Sequence, residues 1–147
     1  IDTFLYEGEI SFSGAYLRMG RKGFPVDNFS SGGLSVPIEL DSGRLGRFGR
    51  RKPTFDTLIH AEHPDSQLAF AGRQIPFWQE VLRMVERAAE VARPLTSVGW
   101  DVAIADDGPV IIEANANWEV TPAQMSQGLG DSRLAQVALA LRENGRA

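Results

Sequence analysis

The chain has 147 residues, a formal net charge of −4, 43% hydrophobic and 23% charged residues, and no cysteine. That composition describes a globular chain able to build a sizeable core, and it excludes disulfide frameworks, thiolate zinc sites and cysteine nucleophiles. The acidic balance argues against nonspecific binding to a nucleic-acid backbone. No apolar run approaches the roughly 20 residues that span a bilayer, and no signal-peptide core is present, so a soluble cytoplasmic protein is the expectation.

The opening "IDTFLYEGEI" has no initiator Met and already alternates like a strand, so the chain reads as a piece that starts inside a domain. Strand patterning continues to Met19, with Arg18 inside the apolar run Ala15–Met19. "GRKGFPVDNFSSGG" is rich in Gly, Ser, Asn and Asp and predicts a long ordered loop. "LSVPIEL" and "RLGRFGR" flank Asp41-Ser42-Gly43, which predicts a hairpin with a three-residue turn and Gly at positive φ. Residues 52–74 show no period and read as irregular.

Pro76 suits a first helical turn, and Trp78, Val81 or Leu82, Val85, Ala88 or Ala89 and Ala92 follow at helical spacing until Pro94. A hairpin over "VGWDVAIADDGPVIIEANANWE" comes next. A last helix begins near Asp131 or Ser132, with Leu134, Val137, Ala138 and Leu141 on one face and Gly145 past its end. The order predicts one α+β domain with a mainly antiparallel sheet.

The second hairpin carries the chemistry. If Val102, Ile104, Val110 and Ile112 share a core face, Val102 lies opposite Ile112 and Ile104 opposite Val110, around a three-residue Asp106-Asp107-Gly108 turn. That register sets Asp101 against Glu113 and Gly99 against Asn115, on the other face. Carboxylates about 5 Å apart at their Cβ atoms repel, and a hard divalent cation resolves the conflict. Mg²⁺ takes oxygen ligands and is held by one or two carboxylates with substrate phosphates; the Asn carbonyl adds a neutral ligand. An exposed sheet edge bearing three polar side chains fits the geometry equally well.

"GWDVAIADDGPVIIEANANWE" resembles the C-terminal metal-binding hairpin of ATP-grasp enzymes. "AYLRMGRKGFPVDNFSSGG" is similar to a segment of glutathione synthetases and ribosomal-protein glutamate ligases, the α-L-glutamate ligases. With "HPDS", "GRQIPFW" and "VGWDVAI" in this order, nearly the whole chain most resembles the sugar-transfer-associated ATP-grasp group. The resemblance implies the C-terminal ATP-grasp subdomain, its helices packed on one face of the sheet, with the first half of the domain outside this chain. It implies ATP and one or two Mg²⁺ ions, held by Asp101, Glu113 and Asn115, with Glu113 bridging if two bind. Arg18 would face the triphosphate. Asn28 and the loop Ser30–Gly33, including Ser31, Gly32 and Gly33, would lie by the γ-phosphate and the acceptor. One departure stands out: glutamate-ligase relatives carry an arginine two residues before the Asn, where this chain has Val26.

The implied activity is ATP-dependent ligation of a small-molecule carboxylate to an amine or a sugar-linked acceptor in polysaccharide or cell-surface biosynthesis. The remainder of the ATP-grasp domain is the expected partner, with no nucleic acid and no membrane span. The alternative is a non-catalytic ATP-grasp remnant serving as a binding or structural module. Arg44, Arg47, Arg50, Arg51 and Lys52 read as a solvated basic face. His60 and His63 with Glu62 and Asp65 do not suit zinc, because Pro64 breaks the helical spacing. Trp78 and Trp100 read as core anchors, and Trp118 as either packing or a pocket wall.

Overall fold

A computed structural model describes residues 1–23, 25, 29–128 and 132–144. The chain divides into two compact units, one built from residues 1–13, 79–118 and 128–147, the other from residues 14–78 and 119–127. The fold is α+β, with antiparallel pairing in both sheets, as the patterning predicts.

The first unit holds a four-stranded sheet in the order β2-β1-β5-β6. Its strands are β1 (Asp2–Tyr6), β2 (Glu9–Gly14), β5 (Ser97–Ala105) and β6 (Gly108–Asn115). Glu7 and Gly8, at φ +50° and +84°, close the β1–β2 hairpin, as in a type I′ turn, whose two central residues both take positive φ and match the strand twist. β1 pairs with β5 through Asp2–Gly99, Thr3–Val98 and Phe4–Ser97. Trp100 anchors this sheet: it is 5% exposed, and its indole Nε1–H donates to the Thr3 hydroxyl at 2.8 Å. A buried indole keeps its apolar area only if its N–H finds an acceptor, and Thr3 supplies it.

Helix α1 (Trp78–Val91) buries Val81, Val85 and Ala89, residues four apart on one helical face. Helix α3 (Arg133–Asn144) begins where expected, with the Ser132 hydroxyl accepting the Ala135 N–H at 3.2 Å. Gly145, expected past its end, lies outside the described residues.

In the second unit β3 (Tyr16–Met19) pairs antiparallel with β4 (Leu34–Pro37). A single 3₁₀ turn over Phe29–Ser31 leads into β4. Isolated bridges extend the pairing: Ser35 to Arg50, Gly49 to His60, and Glu62 to Ala69. The stretch expected to be irregular is therefore loop in shape yet tied by backbone hydrogen bonds. Phe29, Leu34, Val36, Ile38, Leu45, Phe70 and Trp78 are buried here.

The first predicted hairpin turn is one residue longer than expected. The Glu39 N–H donates to the Arg44 carbonyl at 2.9 Å, so the loop runs from Leu40 to Gly43. Gly43 has the expected positive φ, +72°, and a Cβ there would stand 2.4 Å from Trp78 Cγ. Trp78 Nε1–H also donates to the Leu40 carbonyl at 2.6 Å, so the indole clamps this turn from one side. Helix α2 (Thr121–Gln127), which packs on β3 and β4, has no counterpart among the predicted elements.

Candidate functional site

Strands β5 and β6 place Asp101 opposite Glu113 and Gly99 opposite Asn115, the pairs expected from the sequence. Directly paired residues, and residues two apart on one strand, share a face of the sheet, so Asp101, Glu113 and Asn115 project together. Asp101 is half-buried; Glu113 and Asn115 are exposed. The Asn115 amide nitrogen donates to Glu113 Oε1 at 3.0 Å, joining these side chains before any ligand arrives.

Toward the tip the expected register fails. Val102 pairs with Ile111, Ala103 with Val110, Ile104 with Pro109 and Ala105 with Gly108. The turn is therefore the two residues Asp106 and Asp107, and Ile112 is an extra residue opposite the Asp101/Val102 step, a β-bulge. Gly108 keeps a positive φ, +138°, which favours glycine, but it is the first residue of β6, paired with Ala105, rather than the end of a three-residue loop. The expected apolar core face is also corrected: Ile104, Val110 and Ile112 are 38%, 47% and 65% exposed. The bulge explains why the polar pairs survive the error. A two-residue turn plus one bulged residue spans the same count as a three-residue turn, so Asp101 still meets Glu113.

Three residues support the site without having been singled out as its supports from sequence. Trp118 lies over Gly99, where a Cβ would come within 2.6 Å of Trp118 Cβ. The Trp118 indole Nε1–H donates to the Ser97 hydroxyl at 2.7 Å, which fixes its tilt. Asp2 pairs with Gly99, only 2% exposed, in the same cross-strand row as Asn115. Trp118 thus acts here as packing over the root of the sheet. Only the "VGWD" glycine could have hinted at the close approach, since a glycine within a strand marks a place where something comes near the backbone.

The donor set suits Mg²⁺. Two cross-strand carboxylates and an amide whose oxygen turns inward on rotation about its terminal torsion are hard oxygen ligands, and together they fill about half of an octahedral shell, leaving the rest for water and phosphate oxygens. Among the described residues no three His, Cys, Asp or Glu side chains gather into a metal-binding group.

Arg18 is half-buried on β3 opposite Ser35, on the strand face away from Leu17 and Met19. Asn28 and Val26 lie outside the described residues. Ser31 ends the 3₁₀ turn, half-buried, and Gly32 and Gly33 are buried. Gly32 has φ +88°, which explains why glycine stands there. Its N–H donates to the Phe29 carbonyl at 3.2 Å, and a Cβ on it would stand 3.1 Å from the Phe55 ring, over which the Arg21 guanidinium lies at 5.6 Å. This amide is committed within the loop in the present conformation.

His63 is an organiser of its loop. Its Nε2 lies 3.0 Å from the Gly20 carbonyl, while Nδ1 accepts the Asp65 and Ser66 N–H groups at 3.3 and 3.4 Å. A carbonyl can only accept and an amide N–H can only donate, so the ring is held as the Nε2–H tautomer with both nitrogens in use. Asp65 Oδ2 accepts the Lys22 N–H at 2.8 Å, completing the tie to the end of β3. His60 lies 3.3 Å from Asp56, which Arg51 also meets at 3.3 Å. Burial would raise the Asp56 carboxyl, but the Leu58 N–H, His60 and Arg51 together bring it below its usual value of 3.8. The basic run is dispersed rather than convergent: Arg47 lies over Phe48 at 5.1 Å, Arg51 pairs with Asp56, and Lys52 with Glu119 at 3.0 Å. Among the described residues neither histidine belongs to a group of three or more His, Cys, Asp or Glu side chains that could hold a metal.

Among the described residues no helix is long and apolar enough to cross a membrane. No curated protein and no solved structure matches the chain. The profile described as "Sugar-transfer associated ATP-grasp" matches residues 1–138. That match covers both the Arg18 strand and the hairpin carrying Asp101, Glu113 and Asn115, and the chain belongs to the sugar-transfer associated ATP-grasp family.

Proposed function

We propose that the protein is a Mg²⁺-ATP-dependent carboxylate ligase acting in polysaccharide or cell-surface biosynthesis. In this reading the γ-phosphoryl group of ATP passes to an oxygen of a small-molecule carboxylate, leaving ADP and an acyl phosphate. An amine or another nucleophile, free or sugar-linked, then attacks the carbonyl carbon, loses its proton and expels phosphate. Asp101, Glu113 and Asn115 would hold one or two Mg²⁺ ions. When bound, the ion neutralises phosphate charge and orients the transferred group.

The chain's own contribution is positioning and charge. Arg18 provides a permanent cation toward the triphosphate, where charge develops during transfer. In this reading Ser31, Gly32 and Gly33, together with Asn28, which lies outside the described residues, would serve the γ-phosphate and the acceptor. The remainder of the ATP-grasp domain is the partner that completes the nucleotide site.

The observation that supports this reading best is the cross-strand pair Asp101–Glu113 with Asn115 on the same exposed face. A structural sheet edge has no need to face two carboxylates against each other, since like charges directly opposite destabilise a sheet. The test is ADP release and nucleotide affinity in the full-length protein and in Glu113→Ala. Loss of Mg²⁺-dependent turnover in the variant supports the ligase; equal affinity and turnover in both sinks it. No turnover in either leaves the non-catalytic binding module as the surviving reading.

A further inference from the structure

A cavity of about 340 Å³ in the second unit is lined by Leu17, Met19, Leu45, Leu68 and Phe70, with His63, Ser66 and Arg73 at its polar edge. Because β3 alternates, Leu17 and Met19 face this cavity while Arg18 projects from the other side of the strand. The cavity is therefore separate from the face that carries Arg18. Its volume lies at the lower end of the range for small-molecule pockets.

The polar edge has a defined charge pattern. Arg73 is anchored three times: its N–H donates to the Phe70 carbonyl at 3.2 Å, its carbonyl accepts the Leu45 N–H at 2.9 Å, and its side-chain Nε donates to the Ala69 carbonyl at 2.8 Å. That arrangement leaves the two terminal nitrogens, which form a fork matched to an anion with two oxygens. Among the described residues no carboxylate pairs with Arg73. His63 is held as the Nε2–H tautomer by Gly20, Asp65 and Ser66, so it adds no second cation in that state. One cation above an apolar floor matches a monoanion with an apolar body better than a phosphate dianion.

We propose that this cavity binds a small amphipathic carboxylate, its apolar body among Leu17, Met19, Leu45, Leu68 and Phe70 and its carboxylate on the Arg73 fork. This site needs neither nucleotide nor Mg²⁺, and it stands independently of the ligase reading.

In ¹³C-methyl methionine spectra of the full-length protein the Met19 signal is assigned by its loss in Met19→Leu, and the Met84 signal on α1, assigned in the same way, serves as an internal control. Octanoate is titrated without ATP or Mg²⁺, against 1-octanol and octyl phosphate. The expected result is a saturable shift of the Met19 methyl alone, with octanoate binding about tenfold more tightly than octanol through one charge-assisted pair. Arg73→Gln should bring octanoate down to the octanol level while leaving octanol unchanged. Leu68→Glu, at a wall residue 52% exposed, should abolish octanoate binding without disturbing the rest of the spectrum. Equal binding of octanoate and octanol to the unmodified protein, an unchanged octanoate affinity in Arg73→Gln, or parallel movement of Met84 would overturn the site. Tighter binding of octyl phosphate than of octanoate would overturn the assignment to a carboxylate. Because no nucleotide or metal is present, none of these outcomes depends on the Asp101–Glu113 hairpin.

Discussion

One hairpin carries two acidic pairs, and they differ in every property that matters for binding a cation. At its root Asp101 and Glu113 stand on adjacent strands, directly paired, with Asn115 beside them. At its tip Asp106 and Asp107 are consecutive in a two-residue turn, and both are exposed. Strand pairing aims the root side chains to one side of a sheet whose other face is anchored by Trp100 on Thr3. Consecutive turn residues have no such constraint, and any convergence must be bought with conformational entropy on binding. Count and charge are alike at the two ends; preorganisation separates them.

The largest expected effect separates the pairs directly. Asp101→Asn should lower Mg²⁺-dependent turnover in the full-length protein by at least about 100-fold, while Asp106→Asn should leave it within about twofold. Steady-state ADP release checks both. Next in size is Gly99→Ala, which drives a methyl into Trp118. It should destabilise the first unit by about 1–3 kcal/mol in denaturant melts, because the clash is with the Cβ and ring base of a hydrogen-bonded indole rather than a flexible tip. The same melt on Asp106→Ala should show no change beyond about 0.5 kcal/mol.

Deleting Ile112 removes the bulge and restores an uninterrupted ladder. Stability should fall by no more than about 1 kcal/mol, since the side chain is 65% exposed, but loss of the bulge's local bend and twist re-aims Glu113 while it stays paired with Asp101. A metal titration should then show about tenfold weaker Mg²⁺ binding, with stability followed in parallel to separate the two effects. Smallest of all is Val110→Thr near the tip, expected to stay within about 0.5 kcal/mol because 47% of the side chain is already exposed.

The root of the hairpin was legible only because the bulged Ile112 makes up for the shorter turn, so that Asp101 meets Glu113 although Val102, Ile104, Val110 and Ile112 do not share the expected core face. The tip was not. Val110, Ile111 and Ile112 form an unbroken apolar run, so alternation cannot say which of them is the extra residue. The assumption that apolar means buried also fails there, as Ile104, Val110 and Ile112 show. Helix α2 was missed although Thr121-Pro122 is a helix-start signal, because the segment is only seven residues long. The contact of Trp118 with Gly99 needs the chain to fold back on itself, and no local pattern encodes it. Trp78 and Trp100 were readable as anchors because large aromatic residues in periodic elements bury by default.

Paramagnetic Mn²⁺, which takes the same oxygen ligands as Mg²⁺, tests the preorganised root most directly. Root and tip lie about 16 Å apart along the strands, far enough for relaxation broadening to tell them apart. Substoichiometric Mn²⁺ should broaden the backbone amides of Asp101, Glu113, Ala114 and Asn115 first, with Ala105 to Gly108 affected only later, and Glu113→Ala should abolish the early broadening. Broadening centred on Asp106 and Asp107, or unchanged by Glu113→Ala, would contradict the account.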